Sequence, residues 1–448
     1  MQTICTCNLK LLFLSEYGPK VSLFLPLTRI LPSKRDYPGF RSGWRHDLLA
    51  GVAVGVVALP LALAFGISTG TGAASGLVTA IVAGFIAALF GGSRFQVSGP
   101  TGAMTVVLVP IVAKYGVGIM PIVGLMAGLI IILLGLFKLG RYLAALPWAV
   151  LEGFTVGIGI VIALQQLPLA LDIAKPEGSN AARVAWATLK IAIVDGFKGG
   201  PVIILLTAIT LMLISGRFTK TIPASIITVI FCTLLLLFSP LEAKTIGELP
   251  RSLPMPKLPE IPASGWSAII YAAFAVAALG AIESILSARV ADGMEHAKTH
   301  LHDGEKHDSD RELFGQGLAT VAASMMGGIP ATGAIARTAV NVRSGARTRF
   351  AAMVHSMLLL LCVLLLAPAV GQIPISALAG ILIVTAARMV NPVSVREALV
   401  TTRSSAIVLI TTAIITVAVD LIWAVGIGLL LNLALTKIPM INKVIDRQ

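Results

Sequence analysis

Of the 448 residues, 56% are hydrophobic and 12% are charged, against roughly 25% charged in soluble domains, and the mean hydropathy is +0.92. That balance excludes a soluble enzyme or binding module and describes an all-α polytopic membrane protein, with room for about 12 to 14 crossings of roughly 20 residues each. The formal net charge of +13 is a matter of topology: in a fourteen-span arrangement with a cytoplasmic N-terminus, 25 of the 34 Lys and Arg fall on the cytoplasmic side and Arg337 lies inside a span. The positive-inside rule then puts both termini in the cytoplasm of a cell with the protein in its inner membrane, and no nucleic-acid partner is implied.

Residues 1–46 read as a cytoplasmic tail, whose apolar patch Leu11-Leu12-Phe13-Leu14 is too short for a secretory signal. A first repeat is expected over 47–249. Its first span runs from about Asp47 to Ile67, with Gly51 and Gly55 spaced for close helix contact and Pro60 expected to kink or break the helix. Span 2 is expected over 73–90, a broken segment over 95–113, and spans 4 and 5 over 119–138 and 147–168. An external amphipathic helix is expected within 172–198, then spans 6 and 7 over 201–215 and 221–238. A Pro-rich external linker occupies 250–265. The second repeat, 266–438, follows the same plan. Span 8 (266–290) carries Glu283, Ser284 and Ser287; a polar connection leads to span 9 (313–326) and a second broken segment (329–341). Spans 11 and 12 (351–369, 374–389), a short polar element (391–403) and spans 13 and 14 complete the set. A short tail, 439–448, ends the chain.

The two broken segments are one device used twice. Gln96-Val97-Ser98-Gly99-Pro100-Thr101-Gly102-Ala103 and Gly327-Gly328-Ile329-Pro330-Ala331-Thr332-Gly333-Ala334 each reach a Pro and enter an apolar run through Thr-Gly-Ala. Gly and Pro forbid a continuous helix there, and non-helical backbone inside a bilayer survives only where protein or water covers it. Paired interruptions of this kind point to a transporter's midplane site. With seven segments per half the repeats are inverted, so half-helices 3 and 10 approach mid-membrane from opposite faces. Their N-terminal N–H groups and dipole ends suit an anion. The alternative is a pair of glycine-rich packing contacts.

The chain resembles the sulfate permease (SulP) family of anion transporters. The likeness is carried by Asp47 to Pro60, Gln96 to Ala103, the block from His307 to Gly317, and Gly327 to Arg337 with Thr338, Asn341 and Gly345. The resemblance implies fourteen segments in a core and a gate domain, with substrate held between segments 3 and 10. It departs in two places. No STAS domain is seen after Ile438, and Leu61 stands where many sulfate-type members carry Gln, which makes the run from Pro60 to Phe65 more similar to the cyanobacterial bicarbonate branch.

The expected anion ligands are Ser98, Gly99, Thr101, Gly102, Ala103, Thr332, Gly333 and Ala334. Arg337 joins them as a fixed positive charge close to two turns into the second half-helix. Glu283, a costly carboxylate in an apolar span, reads with Ser287 as the cation-coupling pair, binding Na⁺ through oxygen or carrying a proton; the resemblance implies sodium. The competing reading pairs Glu283 with Arg337 as a structural ion pair. Glu152 and Asp420 read as structural, and His296, His300, His302 and His307 as a solvated loop.

Four cysteines give no disulfide framework, no metal-ligand spacing is seen, and Walker, nucleophile-elbow and HExxH motifs are lacking, so no enzyme and no cofactor beyond bound Na⁺ is expected. The expected partners are a small inorganic anion, a coupling cation, the lipid bilayer and, as an open option, a second copy of the chain. Cation-coupled bicarbonate symport comes first, sulfate symport or anion exchange second, then a nucleobase permease, which Arg337 disfavours, and a passive anion channel, which Glu283 disfavours.

Overall fold

The computed structural model describes residues 30–38, 40–143, 147–178, 180–218, 223–259, 264–299, 306–419 and 421–437. Cys5, Cys7, the Leu11–Leu14 patch, His300, His302, Asp420, the 439–448 tail and the His296 side chain lie outside the description.

The element order repeats. The first half contains α1 (Phe40–Thr69), α2 (Ala73–Phe90), β1 (Ser98–Gly99), α3 (Gly102–Tyr115), α4 (Met120–Leu136), α5 (Trp148–Gln165), α6 (Ala181–Asp195), α7 (Gly199–Phe218) and α8 (Ala224–Phe238). The second half contains α9 (Trp266–Thr299), α10 (Ser309–Met325), β2 (Thr332–Gly333), α11 (Ile335–Arg343), α12 (Phe350–Gly371), α13 (Ile375–Met389), α14 (Pro392–Thr401), α15 (Arg403–Ala418) and α16 (Leu421–Lys437). Each half is two helices, a strand leading into a half-helix, two helices, a short helix and two more. Among the described residues eight helices are long and apolar enough to cross a membrane, and α3, α8, α15 and most of α16 are shorter apolar helices.

Three features depart from expectation. α9 continues nine residues beyond the expected end of span 8, to Thr299. α1 runs through Pro60 without a break; in an apolar setting the remaining helix bonds have no competing water, so one lost N–H does not end the helix. The broken segments meet as a two-stranded antiparallel pair, Ser98 opposite Gly333 and Gly99 opposite Thr332. Strands this short carry no period-2 pattern, so sequence periodicity cannot reveal them.

The helices pack in two groups. α1, α2, α4, α9, α10, α11 and α12 pack on one another, while α5, α7, α8, α13, α15 and α16 form the second group. α3 lies between them, touching α1, α9 and α5. Lipid is as apolar as leucine, so close approach and polar ties must replace water-driven burial here. The expected contact at Gly51 and Gly55 is present: a Cβ at Gly51 would lie 2.5 Å from the Ala351 carbonyl, and one at Gly55 2.6 Å from Leu358 Cδ2, both on α12.

Polar ties fasten the ends of the first group. Asp47 is fully buried and accepts the backbone N–H groups of Arg347 (2.6 Å) and Thr348 (3.0 Å) and the Thr348 hydroxyl (2.6 Å). Before α1, Asp36 accepts two bonds from Arg311 (2.6 and 2.9 Å) and lies 3.3 Å from Arg349 Nη2. Burial alone would push its carboxyl up, but the Arg311 hydrogen bonds, the Ser33 N–H and the two guanidinium charges outweigh it and hold it below the usual range. Because the folded-state value is lowered, this tie contributes above the ordinary carboxylate range and is lost as pH falls through that range. Asp36→Asn should lower stability by about 3 kcal/mol, since two buried guanidiniums lose their counter-charge. Thermal unfolding in detergent at pH 7 and about pH 3 checks this: the gap between wild type and variant should shrink at the lower pH, below the ordinary carboxylate value, and equal melting at pH 7 would contradict it.

Candidate functional site

The strand pair ends where the two half-helices begin, and α9 grips both. Thr101 caps α3: its Oγ1 accepts the Met104 N–H at 3.3 Å, and its hydroxyl donates to Glu283 Oε2 at 2.9 Å. The Thr332 hydroxyl donates to the same oxygen at 2.6 Å, and the two hydroxyls lie 3.0 Å apart. One carboxylate oxygen, on a residue 8% exposed, therefore joins segments 231 positions apart. The next residue, Ser284, accepts the Gly333 N–H at 3.1 Å.

The expected ligands are thereby redistributed. Thr101 and Thr332 are bonded to the carboxylate. Ser287 points elsewhere, pairing with the Thr338 hydroxyl at 3.1 Å, which accepts the Val97 N–H. Ser98 donates to Gln316 Oε1 at 2.8 Å. The Ala334 N–H donates to the Val97 carbonyl at 2.9 Å.

Arg337 sits in the first turn of α11. The sequence placed it nearly two turns in, but Ala331 to Gly333 are extended and the helix starts at Ile335. The guanidinium is 1% exposed, and Nη2 donates to the Pro100 carbonyl, just before the cap of α3. Gly99 has φ +152 and no Cβ, and a Cβ there would lie 2.6 Å from Arg337 Nη1. Glu283 and Arg337 form no ion pair among the described residues: each has a different partner, although their charges are close enough to interact.

Beneath the strands lies a polar scaffold whose members Glu312, Gln316 and Asn341 fall within the motifs named above but are not among the expected site residues. Glu312 Oε2 accepts the Gly92 and Ser93 N–H groups, both at 2.8 Å, while Oε1 accepts from Gln96 Nε2 at 2.7 Å. Gln316, one turn along α10, holds Ser98. Asn341 donates to the Phe95 carbonyl at 2.8 Å. On the other side Thr79 accepts the Ile329 N–H at 2.7 Å. A Cβ on Gly333 would run into the Gln96 amide, so that glycine makes room for the scaffold. The signal was available, because polar side chains inside apolar spans are costly and need a reason. Glu152 is buried on α5, and His307 contacts Asp292 Oδ2 through Nδ1 at 2.7 Å, so it is engaged rather than free in solvent.

Gly102 and Ala103 open α3. A Cβ on Gly102 would meet Ile162 of α5 and lie 3.3 Å from Phe65 of α1, so this N-terminus faces an apolar wall formed by both groups. The first N–H groups of α3 and α11 have no intrahelical acceptors. The assembly has fixed donors, one buried guanidinium and one carboxylate ringed by hydroxyls. It can hold an anion through neutral dipoles and a hard cation through oxygen; the latter donor set fits Na⁺ or a proton.

The profile of the Sulfate permease family matches residues 44–412. The putative sulfate transporter YvdB of Bacillus subtilis is 38% identical over 396 residues, 87% of this chain and 72% of that protein. The bicarbonate transporter BicA of Synechocystis is 35% identical over 399 residues, 87% of this chain and 69% of that protein. Among solved structures, the transmembrane domain of a cyanobacterial BicA superposes with a TM-score of 0.77 at 32% identity, covering 86% of this chain and 98% of that one. Murine Slc26a9 in its inward-facing state gives 0.79 at 16% identity, a likeness of fold. The paired half-helices and these matches together establish that this chain belongs to the sulfate permease family of anion transporters and is not an enzyme.

Proposed function

We propose that the chain is a cation-coupled symporter of a small inorganic monoanion, bicarbonate in the first place, working by alternating access in a bacterial inner membrane with both termini cytoplasmic. The observation that carries this reading is the single oxygen of Glu283 shared by Thr101 and Thr332. A bare carboxylate beside the half-helix ends repels an anion in a medium of low dielectric. A Na⁺ or proton that neutralises it removes the repulsion, so occupancy of one site favours occupancy of the other. A passive channel has no use for such a group.

Charge supports bicarbonate over sulfate. With Glu283 at −1, Arg337 at +1 and one coupling cation, the loaded site carries one positive charge, which matches a monoanion and leaves a dianion short. The similarity of the Pro60 to Phe65 run to the bicarbonate branch agrees. Sulfate remains the second reading, because one of the relatives is named for it. The partition into two helix groups with α3 between them suits a group carrying both strands and half-helices that slides against the other.

Glu283→Gln should abolish gradient-driven accumulation of labelled bicarbonate in proteoliposomes, with the protein still folded and monodisperse; retained Na⁺ or H⁺ dependence would remove Glu283 from coupling. Gly102→Val should eliminate transport through collision with Ile162 and closure of the α3 N-terminus. Normal uptake by that variant would show that the half-helix end does not contact the anion. In wild-type vesicles bicarbonate uptake should exceed sulfate uptake at least tenfold, and the reverse order would favour the sulfate reading.

A further inference from the structure

Among the buried polar atoms around the strands that lack hydrogen-bond partners in the described residues are Arg337 Nη1 and His355 Nε2, with Gln96 Oε1, Gln316 Nε2 and Asn341 Oδ1. His355, on α12, is 0% exposed. Its ring reaches the Ala352 carbonyl, and Nδ1 lies 3.4 Å from Ser356 Oγ. With the ring proton on Nδ1 towards those oxygens, Nε2 presents a bare lone pair. The guanidinium offers the reverse, an N–H without an acceptor. Buried groups of this kind are costly unless satisfied, and here a donor and an acceptor are short of partners together.

Both groups lie over the same face of α2. A Cβ built on Gly99 lies 2.6 Å from Arg337 Nη1 and 3.3 Å from Ala80 Cα, and one built on Gly84 lies 3.4 Å from His355 Cε1 and 3.2 Å from the Ser98 carbonyl. Ala80 and Gly84 are one helical turn apart, roughly 5.4 Å. One water accepting from Nη1 and donating to Nε2 would complete both groups.

We infer that one buried water joins Arg337 Nη1 to His355 Nε2, making His355 a positioning residue that holds the guanidinium over the anion. Arg337 is then fixed at both ends, by the Pro100 carbonyl through Nη2 and by His355 through Nη1. Pro100 precedes the cap of α3 and His355 belongs to α12, so the link registers the strand pair against a neighbouring helix.

The inference rests on Arg337 acting on the anion, and the test separates the two ideas. KM and the maximal rate for bicarbonate are measured in proteoliposomes for Arg337→Ala, His355→Leu, His355→Gln and the double variant Arg337→Ala/His355→Leu. His355→Leu should raise KM about tenfold, consistent with losing one hydrogen bond to a charged group. His355→Gln, which keeps an acceptor, should restore most of it. The double variant should be no worse than Arg337→Ala alone. An unchanged KM in His355→Leu, or additive effects in the double variant, would overturn the inference while leaving the anion role of Arg337 standing. An unchanged KM in Arg337→Ala would instead overturn that role. If His355→Leu does not fold, His355→Met compared with His355→Gln decides the same question: equal KM values would overturn the link.

Discussion

Glu283 Oε2 accepts from Thr101 at 2.9 Å and Thr332 at 2.6 Å, and most of the central architecture follows from keeping that arrangement inside a membrane. A carboxylate there must be hydrogen-bonded, paired or neutralised. The chain supplies both hydroxyls from its two interrupted segments, Thr101 at the cap of α3 and Thr332 in β2. Neither half can satisfy the carboxylate alone. The second half of the chain brings the second hydroxyl to it, and the strand pair fixes the register of that meeting.

What holds the strands is a second layer of the same logic. Glu312 and Gln316 grip Gly92, Ser93, Gln96 and Ser98 from α10, Asn341 reaches Phe95, and Ser284 takes the Gly333 N–H. Extended backbone without helical bonds is thus satisfied almost residue by residue from side chains on neighbouring helices, as a low-dielectric interior requires. A site built this way moves as a unit. Displacing one strand would expose several buried polar groups at once, so sliding of the whole helix group past α5, α7, α8, α13, α15 and α16 is the less costly motion.

The helices were largely legible because membrane spans announce themselves by length and apolarity: the expected 73–90 coincides with α2, and most others agree to within a few residues. The paired interruptions were legible because Gly and Pro have local meaning. The start of α11 was not. Thr332-Gly333 reads as a helix entrance by analogy with Thr101-Gly102, yet strand pairing holds it extended and moves the helix start to Ile335, which carries Arg337 into the first turn. The partners of Thr101, Thr332 and Ser98 were illegible for a related reason. A sequence shows that hydroxyls are present, while only the fold shows which oxygen each one meets. Glu312 was missed as a site residue because its partners Gly92, Ser93 and Gln96 lie far away in sequence, where no spacing rule reaches.

The central claim is that Glu283 makes cation and anion binding mutually dependent, and reciprocity tests it directly. Calorimetric titration of the purified protein gives the Na⁺ affinity with and without bicarbonate, and the bicarbonate affinity with and without Na⁺, at fixed pH. Each ligand should tighten the other by the same factor, about five- to 150-fold for a typical coupling free energy. Repeating the titrations with protons as the varied cation covers the second coupling option. Affinities that stay independent under both cations would contradict the account.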